Sequence, residues 1–254
     1  MDKPASQVKI VSSRMPHFDL IAFDADDTLW HNERLYTQSQ ARLAALLEGY
    51  GVRAEALDER LYQTESRNIQ LFGYGIKSFA LSMIETAVTL TGGKLSGTDA
   101  LAIIELAKAQ LVAPVDLLEQ VGETVPKLAA RHPLMVITKG ELLDQENKLK
   151  RSGLAEYFGD IEVVSDKTRQ SYANLFRNHA LEPERVLMVG NSLRSDILPV
   201  LELGGWAAYI PYPDTWQHEA AEAPAPGTPR YYQLESFERL TALLETLEAP
   251  HQQA

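Results

Sequence analysis

Four short apolar runs in this chain each stop abruptly at polar residues. DLIAFD (19–24) ends at Asp24, PLMVIT (133–138) at Thr138, EVVSDK (162–167) at Asp166 and Lys167, and RVLMVGN (185–191) at Gly190 and Asn191. They are short and rich in Val, Ile, Leu, Phe and Met, as buried parallel strands are. A fifth run, WAAYIPY (206–212), follows the same plan without the polar end. Helical patterns at 141–154, 167–181 and 192–205 separate the last four runs, and another at 237–249 closes the chain. The first of these carries apolar residues at 142, 143, 149 and 154, with Gly153 placed as a C-terminal cap; Pro199 should kink or restart the third. Strands alternating with helices predict a parallel sheet with helices on both faces, joined by right-handed crossovers.

One interval breaks the rhythm. About a hundred residues lie between Asp24 and the second run, too many for a connection inside one compact layer. They contain amphipathic patterns at 36–50, 54–72, 76–90 and 98–111 and no convincing strand. The expected organisation is therefore an α/β, Rossmann-like three-layer core formed by 1–32 and 116–254, with an all-helical cap inserted over 33–115. APAPGTP (223–229) reads as a loop.

In an open parallel sheet, ligands bind beyond the carboxyl ends of the strands. If the four runs are neighbours, Asp24, Asp26, Thr138, Lys167 and Asn191 gather at one edge. Each alone has an ordinary explanation. Thr138 heads a Ser/Thr-x-x-Glu capping box with Glu141, Lys167 could be a surface lysine, and Asn191 and Ser192 could begin a helix. Asp24, Asp26 and Asp27 could form a turn. Their joint occurrence points to chemistry, because carboxylates crowded at a strand end are tolerated when a divalent cation and a lysine share the site.

Bulk properties narrow the class. A net charge of -11 with no basic run disfavours a nucleic-acid binder, and the absence of cysteine excludes disulfides, thiolate metal sites and cysteine nucleophiles. No run is long enough to span a bilayer, so a cytoplasmic enzyme or binding protein is the expectation, with the oligomeric state unreadable.

At these residues the sequence resembles the haloacid dehalogenase-like (HAD) hydrolases. D-A-D-D-T-L (24–29) is similar to their first motif, D-x-D-x-T-[LV]; LMVIT (134–138) resembles the second; Lys167 matches the third; G-N-S-L-R-S-D (190–196) resembles the fourth. The resemblance implies a phosphatase acting on a small phosphorylated metabolite. Asp24 would be the nucleophile that becomes an aspartyl-phosphate, and Asp26 the general acid and then base. Thr138, with backbone N–H groups around Lys139 and Gly140, would hold the phosphoryl oxygens, and Lys167 would neutralise nucleophile and phosphate. Mg²⁺ would be held by Asp24, the Asp26 carbonyl, and Asn191 or Asp196. Asn191 departs from the family's usual Asp. Asp27 fills a position that is often Gly and is assigned no chemistry.

Asp26 argues against dehalogenation, which lacks the second carboxylate, and against phosphonate hydrolysis, for which Lys77 is the remote candidate lysine. A sugar phosphomutase would share every core motif. From another class, a response-regulator receiver is about half as long and has its acids on different strands, while a catalytically silent phosphate-binding protein is suggested by the altered fourth motif. In the cap, Tyr74, Lys77 and Arg67 are candidate substrate contacts.

Overall fold

The computed structural model describes residues 17–214, 219 and 221–249. The remaining positions of the expected core, 1–16 and 250–254 together with 215–218 and 220, lie outside the described residues. The strands are β1 (Leu20–Phe23), β2 (Leu134–Lys139), β3 (Asp160–Val164), β4 (Val186–Gly190), β5 (Trp206–Tyr209) and β6 (Tyr231–Gln233). They form one sheet in the order β3-β2-β1-β4-β5-β6, every neighbouring pair parallel. The chain builds outward from β1 to β2 and β3, then returns to place β4 on the other side. The carboxyl ends of β1, β2 and β4 therefore open onto the crevice where the strand order reverses.

The apolar runs supply both faces because successive side chains of a strand point to opposite sides. Ile21, Phe23, Val136, Leu187 and Val189 pack on one face with α5 (Val121–Ala129), α6 (Leu142–Arg151) and α9 (Arg239–Glu248). Leu20, Ala22, Met135, Ile137, Val186 and Met188 pack on the other with α7 (Arg169–Asn178) and α8 (Leu198–Glu202). Full burial of each Val, Leu, Ile, Phe or Met side chain among these contributes about 1.5–3 kcal/mol. The expected break near Pro199 takes the form of a wide π-type turn over Leu193–Ile197, after which α8 restarts with Pro199 at its N-terminus. Gly153 follows α6 with a left-handed φ of 75°, as a C-terminal cap requires.

Between β1 and β2 run α1 (Glu33–Glu48), α2 (Ala54–Phe72), α3 (Ile76–Leu90) and α4 (Gly97–Val112). Their i, i+4 pairs Leu43/Leu47, Leu57/Leu61 and Phe79/Met83 build a core separate from the sheet's.

Several local expectations change. β3 is an edge strand and only partly buried, and Lys167 stands three residues beyond its end. Helix α5 was not anticipated, Pro126 within it masking the pattern, nor was the three-residue β6. The Thr138 capping box does not form: Glu141 occupies the N-cap of α6, and the Thr138 hydroxyl donates to the Lys139 carbonyl. Helix α6 also turns inward on a face that includes only part of the expected apolar set. Leu142 and Leu143 are 58% and 65% exposed, while Asp144, Gln145, Lys148 and Leu149 are buried.

Candidate active site

The turn after β1 is drawn tight by the Ala25 carbonyl, which accepts from the N–H groups of Thr28 and Leu29 at 3.3 and 2.8 Å. Asp27 takes a left-handed φ of 62°, a conformation that a short polar side chain tolerates better than most. Its carboxylate accepts from the N–H groups of Asn32 (2.8 Å) and Glu33 (3.1 Å), satisfying orphan donors at the start of α1. Burial raises its pKa to about 6 against the lowering effect of those bonds. The role of Asp27 is thus architectural.

Asp24 lies at the mouth of the crevice, its N–H bonded to the Val189 carbonyl of β4 at 2.9 Å. Lys167 Nζ sits between two carboxylates, 2.5 Å from Asp24 Oδ1 and 2.7 Å from Asp196 Oδ1. Asp196 is fixed in turn by the Ser192 N–H, 2.9 Å from Oδ2. Gly190 makes this approach possible, because a Cβ there would collide with the Asp196 carboxylate. Burial pushes Asp24 up to about 7 against the pull of Lys167, and Asp196 adds to the upward push. Burial alone would lower the Lys167 pKa, but Asp196 and Asp24 hold it above its ordinary value. Two buried acids therefore share one ammonium. The Thr28 hydroxyl lies 3.1 Å from Asp24 Oδ2 and 3.2 Å from Asn191 Oδ1, so both oxygens are held next to the same hydroxyl. An oxygen-only set of donors with surplus negative charge suits a hard divalent cation.

Asp26 has its own set of partners. Trp30 Nε1 donates to Oδ1 at 2.7 Å, Gln145 Nε2 to Oδ2 at 2.8 Å, and Lys148 Nζ reaches both oxygens at 3.0 and 3.1 Å. Lys148 also donates to Asn32 Oδ1 at 2.9 Å and pairs with Asp144 at 3.3 Å. These contacts explain why polar side chains share the buried face of α6 with Leu149, since they point inward to serve Asp26. Sequence reasoning missed Gln145, Lys148 and Asn32. The available signal was the cluster Asp144, Gln145, Lys148 on one helical face, overlooked because the neighbouring leucines suggested another.

On the β2 side, Lys139 lies under the Tyr74 ring, with Nζ 4.3 Å from its centroid, and pairs with Glu219. Ser195 donates to Glu219 Oε2 at 2.5 Å, and Ser192 to the same oxygen. Burial would raise Glu219, yet Lys139 and the two hydroxyls bring it down to about 2. Tyr74 stands in the Gly73–Gly75 break between α2 and α3; Gly75, at φ 130°, packs where a Cβ would meet the Glu141 side chain at 2.8 Å.

Asp24, Asp26, Thr138, Lys167, Lys139, Gly140, Tyr74, Asn191 and Asp196 all line one cleft of about 190 Å³ between the sheet edge and helices α1–α3. Lys77 and Arg67 do not: Lys77 pairs with Glu141 at the outside of the junction, and Arg67 pairs with Glu85 on the surface of the helical group.

Among the described residues no helix is long and apolar enough to cross a membrane. A haloacid dehalogenase-like hydrolase family model matches residues 18–204. A haloacid dehalogenase-like family hydrolase from Xanthomonas campestris is 40% identical, with a TM-score of 0.81 over 91% of this chain and 92% of that one. More distant solved structures share the fold. A putative HAD hydrolase from Bacillus subtilis bound to magnesium is 18% identical (TM-score 0.64, 90% and 99% covered). A 2-haloacid dehalogenase from Pseudomonas syringae is 20% identical (TM-score 0.61, 90% and 99% covered). No curated protein gives a significant match. With its parallel sheet, its family match and its Xanthomonas relative in agreement, the chain is a hydrolase of the haloacid dehalogenase-like family.

Proposed function

We propose that the chain is a Mg²⁺-dependent phosphomonoesterase for a small phosphorylated metabolite, with helices α1–α4 (residues 33–115) acting as a cap over the cleft. One observation carries this reading: a second carboxylate, Asp26, is held in the cleft two residues from Asp24 by Trp30, Gln145 and Lys148. Two nearby carboxylates in different surroundings can divide nucleophilic and proton-transfer work.

Asp24 attacks phosphorus, forming an acyl–phosphate bond as the bond to the ester oxygen breaks, and Asp26 gives that oxygen its proton. Asp26 then takes a proton from water as the water attacks phosphorus, which releases phosphate and restores Asp24. Lys167 offsets the charge shared by Asp24 and the phosphoryl group. Thr138, Lys139 and the backbone at Gly140 hold the phosphoryl oxygens. Mg²⁺, held by Asp24, the Asp26 carbonyl, Asn191 and Asp196, would supply the remaining positive charge. The magnesium bound to the Bacillus subtilis structure supports this choice of ion.

Halide displacement is the second reading, favoured by the fold shared with the Pseudomonas syringae dehalogenase. A departing halide needs no proton, which would leave Asp26 and its three partners without work. Release of phosphate from p-nitrophenyl phosphate with Mg²⁺, abolished by Asp24→Asn, is expected. Halide release from a 2-haloacid with no phosphate release would overturn the proposal.

A further inference from the structure

We propose that the leaving-group end of the cleft is an ammonium subsite, in which Glu33 and Glu65 together receive a positively charged amine carried by the phosphorylated alcohol. This rests on the phosphomonoesterase reading for the identity of the leaving group, and it specifies what that group must carry.

The cleft is rich in carboxylates, and most have a partner. Lys167 serves Asp24 and Asp196, Lys148 serves Asp26 and Asp144, Lys139 serves Glu219, and backbone N–H groups serve Asp27. Glu33 on α1 and Glu65 on α2 also line the cleft, yet neither makes an ion pair among the described residues. The nearest basic neighbours in sequence are engaged elsewhere, Arg34 with Asp116 and Arg67 with Glu85. Burial raises Glu33 to about 8, with Asp27 and Glu65 adding repulsion, and burial raises Glu65 to about 7. Carboxylates left half-buried without a counter-charge are costly to retain, and a ligand cation would reduce the cost.

A second, independent observation points to a ligand in the same cleft. Three side chains that line this cleft, each more than nine-tenths buried, have an atom without a hydrogen-bond partner: Ser78 Oγ, Asp144 Oδ1 and Gln145 Oε1. The Gln145 orientation is fixed by its amide nitrogen, which donates to Asp26 and to the Lys139 carbonyl. Asp144 Oδ1 and Gln145 Oε1 can only accept, and a serine oxygen can accept as well. Tyr36 joins these groups spatially, its phenol pKa raised first by burial and then by Asp26, Asp144, Glu65 and Glu33 around it.

The kind of ligand follows from counting donors and acceptors. The unfilled positions are almost all acceptors, and two more carboxylates line the same cleft. A neutral polyol brings an acceptor with every donor and would leave lone pairs facing carboxylates. A primary ammonium brings three donors, no acceptor and the missing positive charge. The compact cleft favours a short amino alcohol over an extended one.

Binding to the Asp24→Asn chain at saturating Mg²⁺ tests this without turnover. Calorimetry with O-phosphoethanolamine and with 2-hydroxyethyl phosphate compares an ammonium with a hydroxyl on the same skeleton. The amine ester should bind about tenfold more tightly, the size of one charge-assisted hydrogen bond. Adding Glu65→Gln should reduce that preference to about twofold or less. Glu33→Gln serves as the second variant, with a cooperative melting transition as the check that each variant is folded. Equal affinity for the two esters, no measurable binding of the amine ester, or a preference that survives both glutamine substitutions overturns the subsite. Failure of the wild-type chain to hydrolyse p-nitrophenyl phosphate would overturn the catalytic reading instead, and the binding preference would still be measurable.

Discussion

The ammonium of Lys148 on α6 lies 3.0 Å from Asp26 Oδ1, joining positions 122 residues apart in the chain. The contact ties the face of a core helix to the second carboxylate of the cleft. Burial alone would lower the Lys148 pKa, but Asp26 and Asp144 hold it raised, so it remains a cation where one is needed.

Replacing Lys148 with Met strands Asp26 and Asp144 without that cation. Removing one partner of a buried pair typically costs about 3–5 kcal/mol. Asp26 is partly open to solvent, so the lower end is expected, measured as a shift in the urea midpoint. The kcat for p-nitrophenyl phosphate should also fall by about tenfold or more, since Asp26 loses its orientation. An unchanged midpoint would show that the Lys148–Asp26 pair contributes no net stability.

Gly190→Ala tests the close packing behind the site. The added methyl meets the Asp196 carboxylate, so that side chain must leave its place beside Lys167 and the Ser192 N–H. Overpacking of this kind costs about 1–3 kcal/mol. Stabilisation by Mg²⁺ should fall with it, and wild-type melting behaviour with and without Mg²⁺ would contradict the steric argument.

Magnesium should raise the melting temperature of the wild-type chain, since a ligand at a hundred times its Kd contributes about 2.7 kcal/mol to the folded state. Asp196→Asn should diminish that response. Asn191→Asp should act oppositely in the two conditions. It adds a negative charge near Asp24 and Asp196, lowering metal-free stability, and it strengthens ion binding. A weaker Mg²⁺ response in Asn191→Asp would exclude residue 191 from the metal site.

Glu33 and Glu65 predict a pH dependence of stability. Burial raises the first to about 8 and the second to about 7, both above an ordinary value of 4.5. Between those limits the folded chain holds protons that the unfolded chain releases, so stability falls as pH rises. The ligand-free melting temperature should therefore drop between about pH 5 and 8. Glu65→Gln should flatten the slope between about pH 5 and 7 and raise the melting temperature at pH 8. A slope identical to wild type would show that Glu65 does not titrate in this window.

Where the chain's own periodicity carried the information, the sequence was sufficient. Helices α2 and α3 coincide with the expected spans 54–72 and 76–90, because i, i+4 apolar pairs mark them and Gly73 and Gly75 divide them. The strand runs were legible because burial on both faces demands unbroken apolar residues, and their polar ends meet because parallel strands align their termini.

Only the tertiary structure decided which face of α6 turns inward. Periodicity shows that a helix has two unlike faces, and the environment selects between them. Here Asp26 and Asn32, contributed by a distant loop, give Gln145 and Lys148 the partners that make their burial tolerable, and Leu142 and Leu143 are left exposed. The same holds for Glu33, Glu65 and Ser78. Each resembles an ordinary helix residue along the chain, and each becomes a candidate ligand contact only when α1, α2 and α3 fold against the sheet edge and bring it to the cleft.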